Sequence, residues 1–163
     1  MTSFLSSKSE EYLPTAEKVD LHKYAGQWYE IARLPNFFEK GLECITATYT
    51  LREDGKISVL NKGHRSKDKT RIKEAKGKAW RPDSSIEGQL KVQFFWPFSG
   101  DYYIIHLDED YQYVLLGSPN RNYLWILARE NKLDQTIYNN LLKIAASHGF
   151  EIENVIMVEH DCE

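Results

Sequence analysis

The stretch YAGQWYEIAR, residues 24–33, decides the fold of this chain. In an extended segment Trp28, Glu30 and Ala32 point to one side, and the residues between them point to the other. Both faces are therefore largely apolar, and both need cover. A parallel sheet with helices on each side would supply it, but the rest of the chain has only one good helical pattern. The sequence favours a closed barrel, with Trp28 at the floor of the lumen and the single helix outside.

Alternation with a period of two residues continues after this stretch and predicts further strands. Ile45, Ala47 and Tyr49 share one face of a strand that begins near Cys44, and the threonines between them share the other. EDGK is a hairpin turn that contains Asp-Gly. Similar patterns predict later strands in KISVLNKGHR (56–65), TRIKEAKGKAW (70–80), QLKVQFFW (89–96), PFSGDYYIIHLDEDYQYVLLGSPN (97–120, two strands) and NYLWILARE (122–130).

The spacing of apolar residues changes to a helical period at Leu133. Leu133, Ile137 and Leu141 lie on one stripe, with Asp134 as the predicted N-cap and Gly149 as the C-terminal stop. We expect this stripe to cover the outward-facing residues of the first strand.

About eight strands in sequential hairpins are thus followed by one helix and a short apolar strand at 155–158. Sequential hairpins give a meander, and eight strands close into a barrel wide enough for one small ligand. We predict an all-β fold: an eight-stranded antiparallel up-and-down barrel with one C-terminal α-helix packed outside. The 163 residues correspond to one domain, which we place at 20–163 after a mobile N-terminal leader at 1–19.

Charge is unevenly distributed along the chain. The net charge of -3 gives no general attraction to nucleic acid. Between Lys62 and Lys78, however, eight Lys or Arg residues stand against two acids. This segment is either a solvated hairpin face or a patch that contacts anionic lipid headgroups. The chain contains no run of 18 apolar residues, so no helical membrane span is expected.

Two long stretches resemble a known family. YAGQWYEIARLPNFFEKGLECITATYTLREDGKISVLNKG (24–63) and FFWPFSGDYYIIHLDEDYQYVLLGSPNRNYLWILARE (94–130) are similar to bacterial lipocalins of the outer-membrane lipoprotein type and to their animal relative apolipoprotein D. The resemblance covers about residues 19–160. The G-x-W motif ending at Trp28 is weak alone, but it becomes specific when joined to the acidic-Tyr turn before Tyr111 and the closing Arg129.

The resemblance implies roles for several residues. Gly26, Trp28 and Arg129 would form the barrel floor, with the Arg packed across the indole. Cys44 and Cys162 fall where apolipoprotein D has a bridged pair, so a disulfide is expected if the protein is exported. Bacterial members begin with a signal and a lipidated Cys, which the N-terminus MTSFLSSKSEEYLPTAEK lacks. The family implies the cell envelope, periplasm or outer membrane, and the cytoplasm stays an alternative.

The lumen is expected to be lined by residues in phase with Trp28 or with one another, with two phenylalanines near the mouth. The candidate ligand-binding residues are Glu30, Phe37, Phe38, Ala47, Tyr49, Val59, Asn61, Val92, Phe94, Tyr103, Ile105, Val114, Leu116 and Trp125. Burying about fifteen methylenes there would yield roughly 12 kcal/mol gross, against a binding cost of several kcal/mol. The alternative for each residue is plain core packing. Glu30 either pairs with a cation near the floor or meets a ligand head group.

No sequence pattern for catalysis or metal binding is present. The five histidines are scattered, and the chain has no nucleophile elbow, P-loop or paired-carboxylate motif. Cys44 shares its face with Thr46 and should point outward, unlike the lumenal Cys of a lipocalin that isomerises prostaglandins. We therefore expect no enzyme activity, metal or cofactor. The alternatives are a lumenal enzyme, a lipid isomerase or hydroperoxide-handling protein, and a haem or tetrapyrrole carrier.

These observations predict a protein that binds, transports or stores a small hydrophobic or amphipathic ligand in its lumen. The expected ligand is a fatty acid or lysophospholipid. We expect no nucleic-acid partner, and a monomer or weak homodimer. Peripheral membrane contact through Lys62–Lys78 stays open as the alternative to a solvated hairpin face.

Overall fold

Nine strands form one antiparallel sheet in the computed structural model, which describes residues 12–95 and 98–162. The strands are β1 (Gly26–Arg33), β2 (Leu42–Leu51), β3 (Ile57–Arg65), β4 (Asp68–Trp80), β5 (Gln89–Phe95), β6 (Phe98–Leu107), β7 (Tyr113–Gly117), β8 (Leu124–Ala128) and β9 (Ile156–Met157). The helices are α1 (Leu21–Tyr24) and α2 (Gln135–Ser147), and a short 3₁₀ turn covers Ile152–Asn154. No helix within the described ranges is long and apolar enough to cross a membrane.

Strand β1 closes the sheet into a barrel because it pairs with both β2 and β8. On one edge Gly26 lies opposite Tyr49 of β2. On the other edge Tyr29 lies opposite Ala128 of β8. The strands from β2 to β8 pair with their neighbours in chain order. The predicted eight-stranded up-and-down barrel is therefore confirmed, with β9 as an addition to it.

The C-terminal tail fills the seam where the second half of β1 separates from β2. In this seam Ala32 pairs with Met157 of β9. The amide of Cys44 donates to the carbonyl of Glu159 at 2.7 Å. A disulfide joins Cys44 to Cys162 across 118 residues of sequence, so the bridged pair is confirmed. The bridge and the hydrogen bonds together fix the tail to the barrel wall.

Apolar side chains form two clusters, one on each face of the barrel wall. The inner cluster surrounds the fully buried Trp28. The outer cluster lies between the wall and α2 and includes Ile31, Ile126, Leu141 and Ala145. The single helix therefore covers the outer face of β1, as the sequence predicts.

Local signals set the two ends of α2. The carboxylate of Asp134 accepts hydrogen bonds from the amides of Thr136 and Ile137, at 2.9 and 3.2 Å. Gly149, with a φ of 90°, follows the last turn in a left-handed conformation that favours glycine. Both end residues predicted from the sequence are thus in place.

Tyr103 and Ile105 are two predicted lumen residues that lie on the outer face instead. Both belong to the cluster beneath α2, whereas their neighbours Tyr102 and Ile104 belong to the inner cluster. The run YYII has no polar residue to mark which face is outside. The pairing with β7 also shifts register between Ile104 and His106. The predicted phase of these two residues is therefore wrong.

Residues 12–19 contact the barrel. Leu13 and Val19 are each only 2% exposed, and the amide of Ala16 donates to the carbonyl of Ile104 at 2.8 Å. The packed chain therefore reaches back beyond the predicted boundary at residue 19. The sequence signal was weak because two isolated apolar residues in a polar stretch form no period. The rest of the predicted leader, 1–11, lies outside the described residues.

Replacement of Leu141 by Ala tests the packing of α2. Leu141 is fully buried in the outer cluster, so we expect Leu141→Ala to lower the free energy of unfolding by about 2–5 kcal/mol. The exposed Lys143 of the same helix supplies the control. Lys143→Ala should change the free energy of unfolding by less than about 0.5 kcal/mol. Urea titration followed by tryptophan fluorescence measures both. Equal losses in the two variants would contradict the packing described.

Candidate functional site

Trp28 closes one end of the barrel beneath the guanidinium of Arg129. The Cζ atom of Arg129 lies 3.8 Å from the centre of the Trp28 ring. The indole N–H donates to the carbonyl of Tyr24 at 2.9 Å. Gly26 has a φ of 106°, and a Cβ at this position would lie 3.2 Å from Nη1 of Arg129. The backbone conformation and the close guanidinium together explain why glycine stands here.

Arg129 uses its donors on the main chain. Its acceptors lie at 2.8 to 3.2 Å and are the carbonyls of Tyr111, Gln27, Lys23 and Tyr24. A guanidinium with its face on an indole and its N–H groups on carbonyls has little capacity left for a ligand. The group formed by Gly26, Trp28 and Arg129 is therefore a structural floor for the barrel.

Three tyrosine hydroxyls meet inside the barrel. The hydroxyl of Tyr102 is hydrogen-bonded to those of Tyr24 and Tyr49, at 2.6 and 2.7 Å. Burial raises the pKa of all three hydroxyls, so they remain protonated at physiological pH. Three O–H donors share two hydrogen bonds, which leaves one O–H for a ligand or a water molecule. Of the three residues, the sequence predicted only Tyr49 as a lumen residue.

Glu30 and Arg33, both buried, form a charged group with the partly exposed Glu39 near the open end of the barrel. Nη1 of Arg33 donates to Oε2 of Glu30 at 3.3 Å, and Nη2 donates to the carbonyl of Glu39 at 3.1 Å. The carboxylate of Glu39 accepts from Nε1 of Trp125 at 2.9 Å. Glu39 belongs to the loop between β1 and β2, so these bonds tie the loop 34–41 to the lumen wall.

A β-bulge explains why Arg33 reaches the lumen. Regular alternation would turn Arg33 outward and Ala32 inward. The register with β8 shifts between Glu30 and Ala32, after which Arg33 lies opposite Trp125. Ala32 belongs to the outer cluster, so its predicted inward orientation is wrong. Sequence reasoning missed Arg33, although an acid in an apolar lumen needs a cation and Arg33 is the nearest one along the chain.

The environment of Glu30 favours its neutral form. Burial raises the pKa of Glu30 well above its usual value, and the nearby Glu39 adds to the rise, whereas Arg33 opposes it. Of the two alternatives for Glu30, the structure shows pairing with a cation, and this cation lies toward the mouth instead of the floor. The group as a whole can both donate and accept hydrogen bonds inside the barrel.

A row of aromatic rings leads from solvent into the lumen. Ring centroids are 4.4 Å apart for Phe37 and Phe38, 6.2 Å for Phe38 and Tyr123, and 5.7 Å for Tyr123 and Trp125. Phe37 is 77% exposed at the outer end of the row, and Trp125 packs against the inner cluster at the other. Both predicted phenylalanines therefore lie at the open end.

The other predicted lining residues face the barrel interior. The inner cluster and the residues packed against it include Ala47, Tyr49, Val59, Val92, Phe94, Val114, Leu116 and Trp125. Asn61 lies opposite Ala47 and shares its face. Val92, Phe94 and Trp125 face inward yet keep accessible surface. Val92 is the middle residue of β5, and Phe94 and Trp125 lie toward the mouth ends of β5 and β8. The interior is therefore less filled there than around Trp28.

The cysteines and the acidic residues near the tail are already engaged. Cys44 and Cys162 share a disulfide, and no cysteine in the described part of the chain is free. Three acids stand close enough to hold a metal ion: Glu43, Glu159 and Asp161. The ammonium of Lys69 lies 2.8 Å from Asp161 and 3.8 Å from Glu43, however. The ammonium of Lys69 therefore already pairs with two of these three acids.

Replacement of Glu30 by Gln tests the charge state of this residue. The folded protein holds the Glu30 proton more tightly than the unfolded chain, so stability should fall as the pH rises above the usual value of 4.5 toward the folded-state pKa. Glu30→Gln keeps an acceptor for Arg33 but cannot ionise, so this fall should shrink and the variant should gain relative stability at pH 7. Urea unfolding of both proteins between pH 4.5 and 8 measures this pH dependence of the free energy of unfolding.

The exposed Glu74 provides a matched control. Glu74→Gln should leave the pH dependence of stability unchanged. Parallel curves for the Glu30→Gln variant and the parent protein would contradict the buried, neutral Glu30.

Comparisons with known proteins agree with this geometry. Residues 19–160 match the family model of the lipocalin-like domain. The chain is 43% identical to outer membrane lipoprotein Blc of Vibrio cholerae over 86% of its length and 82% of that protein. It is 34% identical to apolipoprotein D of Macaca fascicularis, over 91% of its length and 80% of that protein.

A solved structure shows the same fold at lower sequence similarity. Insecticyanin from the tobacco hornworm Manduca sexta superposes with a TM-score of 0.74 and 21% identity, covering 92% of this chain and 85% of that one. At this identity the likeness concerns the fold alone. The family match and the relatives above carry the assignment: the chain belongs to the lipocalin family, whose members bind small hydrophobic ligands.

Proposed function

We propose that this protein binds and carries a single-chain lipid, a fatty acid or a lysophospholipid, with its acyl chain in the barrel lumen. The observation that carries the proposal is the combination of an apolar inner wall with inward-facing side chains that keep accessible surface, Val92, Phe94 and Trp125. Apolar surface in contact with water inside a barrel favours an apolar ligand. The buried Glu30 and Arg33 beside it suit the polar end of an amphipathic molecule.

A carrier fits the lumen better than an enzyme does. Cys44 is held in a disulfide, so it offers no thiol for an isomerase. The tyrosine hydroxyls have raised pKa values, which makes them poor nucleophiles and poor proton donors at neutral pH. Glu30 lies between a cation and another acid in a hydrogen-bonded group. These residues suit recognition of a ligand without chemical change.

The proposed location is the cell envelope. The relatives from Vibrio cholerae and Escherichia coli are named outer membrane lipoproteins. The bond between Cys44 and Cys162 supports the same compartment, because disulfides persist in oxidising environments such as the periplasm.

Filling the lumen should weaken lipid binding. Asn61 faces inward opposite the small residues Ala47 and Ala75, so Asn61→Trp places an indole where the acyl chain would lie. The adjacent Lys62 is exposed, and Lys62→Trp is the matched control. We expect the delipidated parent protein and the control to bind a fluorescent fatty acid saturably at one site. Asn61→Trp should lose at least about tenfold in affinity, the order expected from displacing a few methylenes.

Folding of both variants is verified by circular dichroism. If Asn61→Trp binds the fatty acid as tightly as Lys62→Trp does, the ligand lies elsewhere and the lumen proposal fails. If the parent protein shows no saturable binding, the proposed ligand class is wrong.

The open end is also the proposed point of contact with a membrane. Phe37 is exposed there, and the ammonium of Lys73 donates to the carbonyl of Phe38 at 3.2 Å, which holds a cation beside the aromatic pair. The tip between β3 and β4 adds Arg65 and Lys67, both exposed. Within Lys62–Lys78, Lys62 is partly neutralised by Glu74 at 3.5 Å. Exposed rings flanked by cations suit an anionic bilayer surface.

Serine substitutions at the two ends of the barrel test this contact. Phe37→Ser should weaken binding to vesicles that contain phosphatidylglycerol by about tenfold, because one Phe side chain would no longer be buried. Ile86, exposed in the loop between β4 and β5 at the closed end, supplies the control. Vesicle co-sedimentation measures both variants. An equal loss with Ile86→Ser, or none with Phe37→Ser, would exclude the mouth as the contact surface.

A further inference from the structure

Arg33 carries a buried hydrogen-bond donor that the chain does not use. Its side chain is 6% exposed, and its two terminal nitrogens donate to Glu30 and to the carbonyl of Glu39. Its Nε has no hydrogen-bond partner, and it is the only buried side-chain nitrogen or oxygen among the described residues in this state. Buried polar groups nearly always have partners, so this donor is available to a ligand or a water molecule.

The carboxylate of Glu39 does not serve as the partner of this donor. Oε1 of Glu39 is 3.9 Å from Nε of Arg33, which is beyond hydrogen-bonding distance. The same oxygen already accepts from Nε1 of Trp125 at 2.9 Å and from Nδ2 of Asn36 at 2.8 Å. A carboxylate oxygen has about two lone-pair sites, so both are occupied. Trp125 and Asn36 thus hold Glu39 away, and the donor of Arg33 stays free.

The position of this donor suits the polar end of a lipid. Arg33 lies opposite Trp125, whose ring packs against the inner cluster. The accessible apolar side chains Val92 and Phe94 belong to the same cluster. An acyl chain that contacts them would bring its head group to the charged group beneath the loop 34–41.

The charges at this site also permit an anion. Because burial raises the pKa of Glu30 and favours its neutral form, Arg33 and the carboxylate of Glu39 leave the group close to zero net charge. The Glu39 carboxylate is compensated by the two N–H donors that hold it. An incoming anionic oxygen therefore meets a cation with an unused donor and one satisfied carboxylate.

We propose that Nε of Arg33 donates a hydrogen bond to an anionic oxygen of the ligand head group, a carboxylate or a phosphate. Arg33 is then the residue that selects single-chain lipids with an anionic oxygen over neutral ones. This inference rests on the proposed lipid-binding function and adds the chemistry of its head-group site.

A series of ligands with the same chain tests the inference on the unaltered protein. Oleate carries a carboxylate, lysophosphatidylcholine with an oleoyl chain carries a phosphate, and oleyl alcohol carries neither. We expect at least one of the two ligands with an anionic oxygen to bind about tenfold or more tightly than the alcohol, the order of a charge-assisted hydrogen bond. Comparable affinity for all three would overturn the inference and leave the lipid-binding proposal intact. Absence of saturable binding by any of them would remove both.

Variants then assign the preference to this side chain. Arg33→Lys keeps a cation between Glu30 and Glu39 but lacks the separate Nε donor. It should bind the preferred anionic ligand about tenfold more weakly and oleyl alcohol within about twofold of the parent. Arg52 lies in an exposed ion pair with Asp54, and Arg52→Lys is the control. It should change neither the affinity for the preferred ligand nor the affinity for oleyl alcohol.

The pattern of losses identifies the oxygen. A loss confined to oleate assigns the site to a carboxylate, a loss confined to lysophosphatidylcholine assigns it to a phosphate, and a loss for both assigns it to either anion. A loss for none, or an equal loss for the alcohol, would show that Nε binds only water and would overturn the inference. Thermal unfolding verifies that the Arg33→Lys variant is folded. If the variant is not folded, the ligand series on the unaltered protein decides the inference.

Discussion

Burial of β1 on both of its faces is the constraint on which the rest of the structure depends. Trp28 is fully buried on the inner face, and Ile31 is 4% exposed on the outer face. Such a strand needs neighbours on both edges, which β2 and β8 supply, and apolar cover on both faces, which the inner cluster and α2 supply. Closure of the barrel, the position of the helix and the existence of a lumen all follow from this requirement.

The two ends of the barrel use arginine in different ways, and this gives the lumen a direction. At the closed end Arg129 donates hydrogen bonds to main-chain carbonyls, and the face of its guanidinium packs on the ring of Trp28. At the open end Arg33 is held by Glu30 and Glu39 but keeps one donor. The first arginine stabilises the fold, whereas the second suits recognition. An amphipathic ligand therefore meets apolar walls deep in the barrel and polar groups nearer the mouth.

Sequence reasoning gives correct faces where polar residues mark the outside of a strand. The threonines of β2 do so, and Ala47 faces the lumen as predicted. In the run YYII of β6 both faces are apolar, so alternation alone does not fix the phase, and Tyr103 lies on the side opposite to the predicted one. A bulge after Glu30 reverses the orientation of Arg33, and Glu39 reaches the lumen from a loop. No period in a sequence reports bulges or loop conformations, so alternation alone does not place Arg33 and Glu39 in the lumen.

The most direct test of the central claim is to locate a bound acyl chain by nuclear magnetic resonance. Oleate labelled with ¹³C along its chain would be bound to the delipidated protein, and nuclear Overhauser contacts to the protein recorded. The account predicts contacts from the middle of the chain to Val92, Phe94 and Trp125, which pack against the inner cluster and keep accessible surface. Contacts confined to the exposed ring of Phe37 would contradict it, because the lipid would then lie outside the lumen.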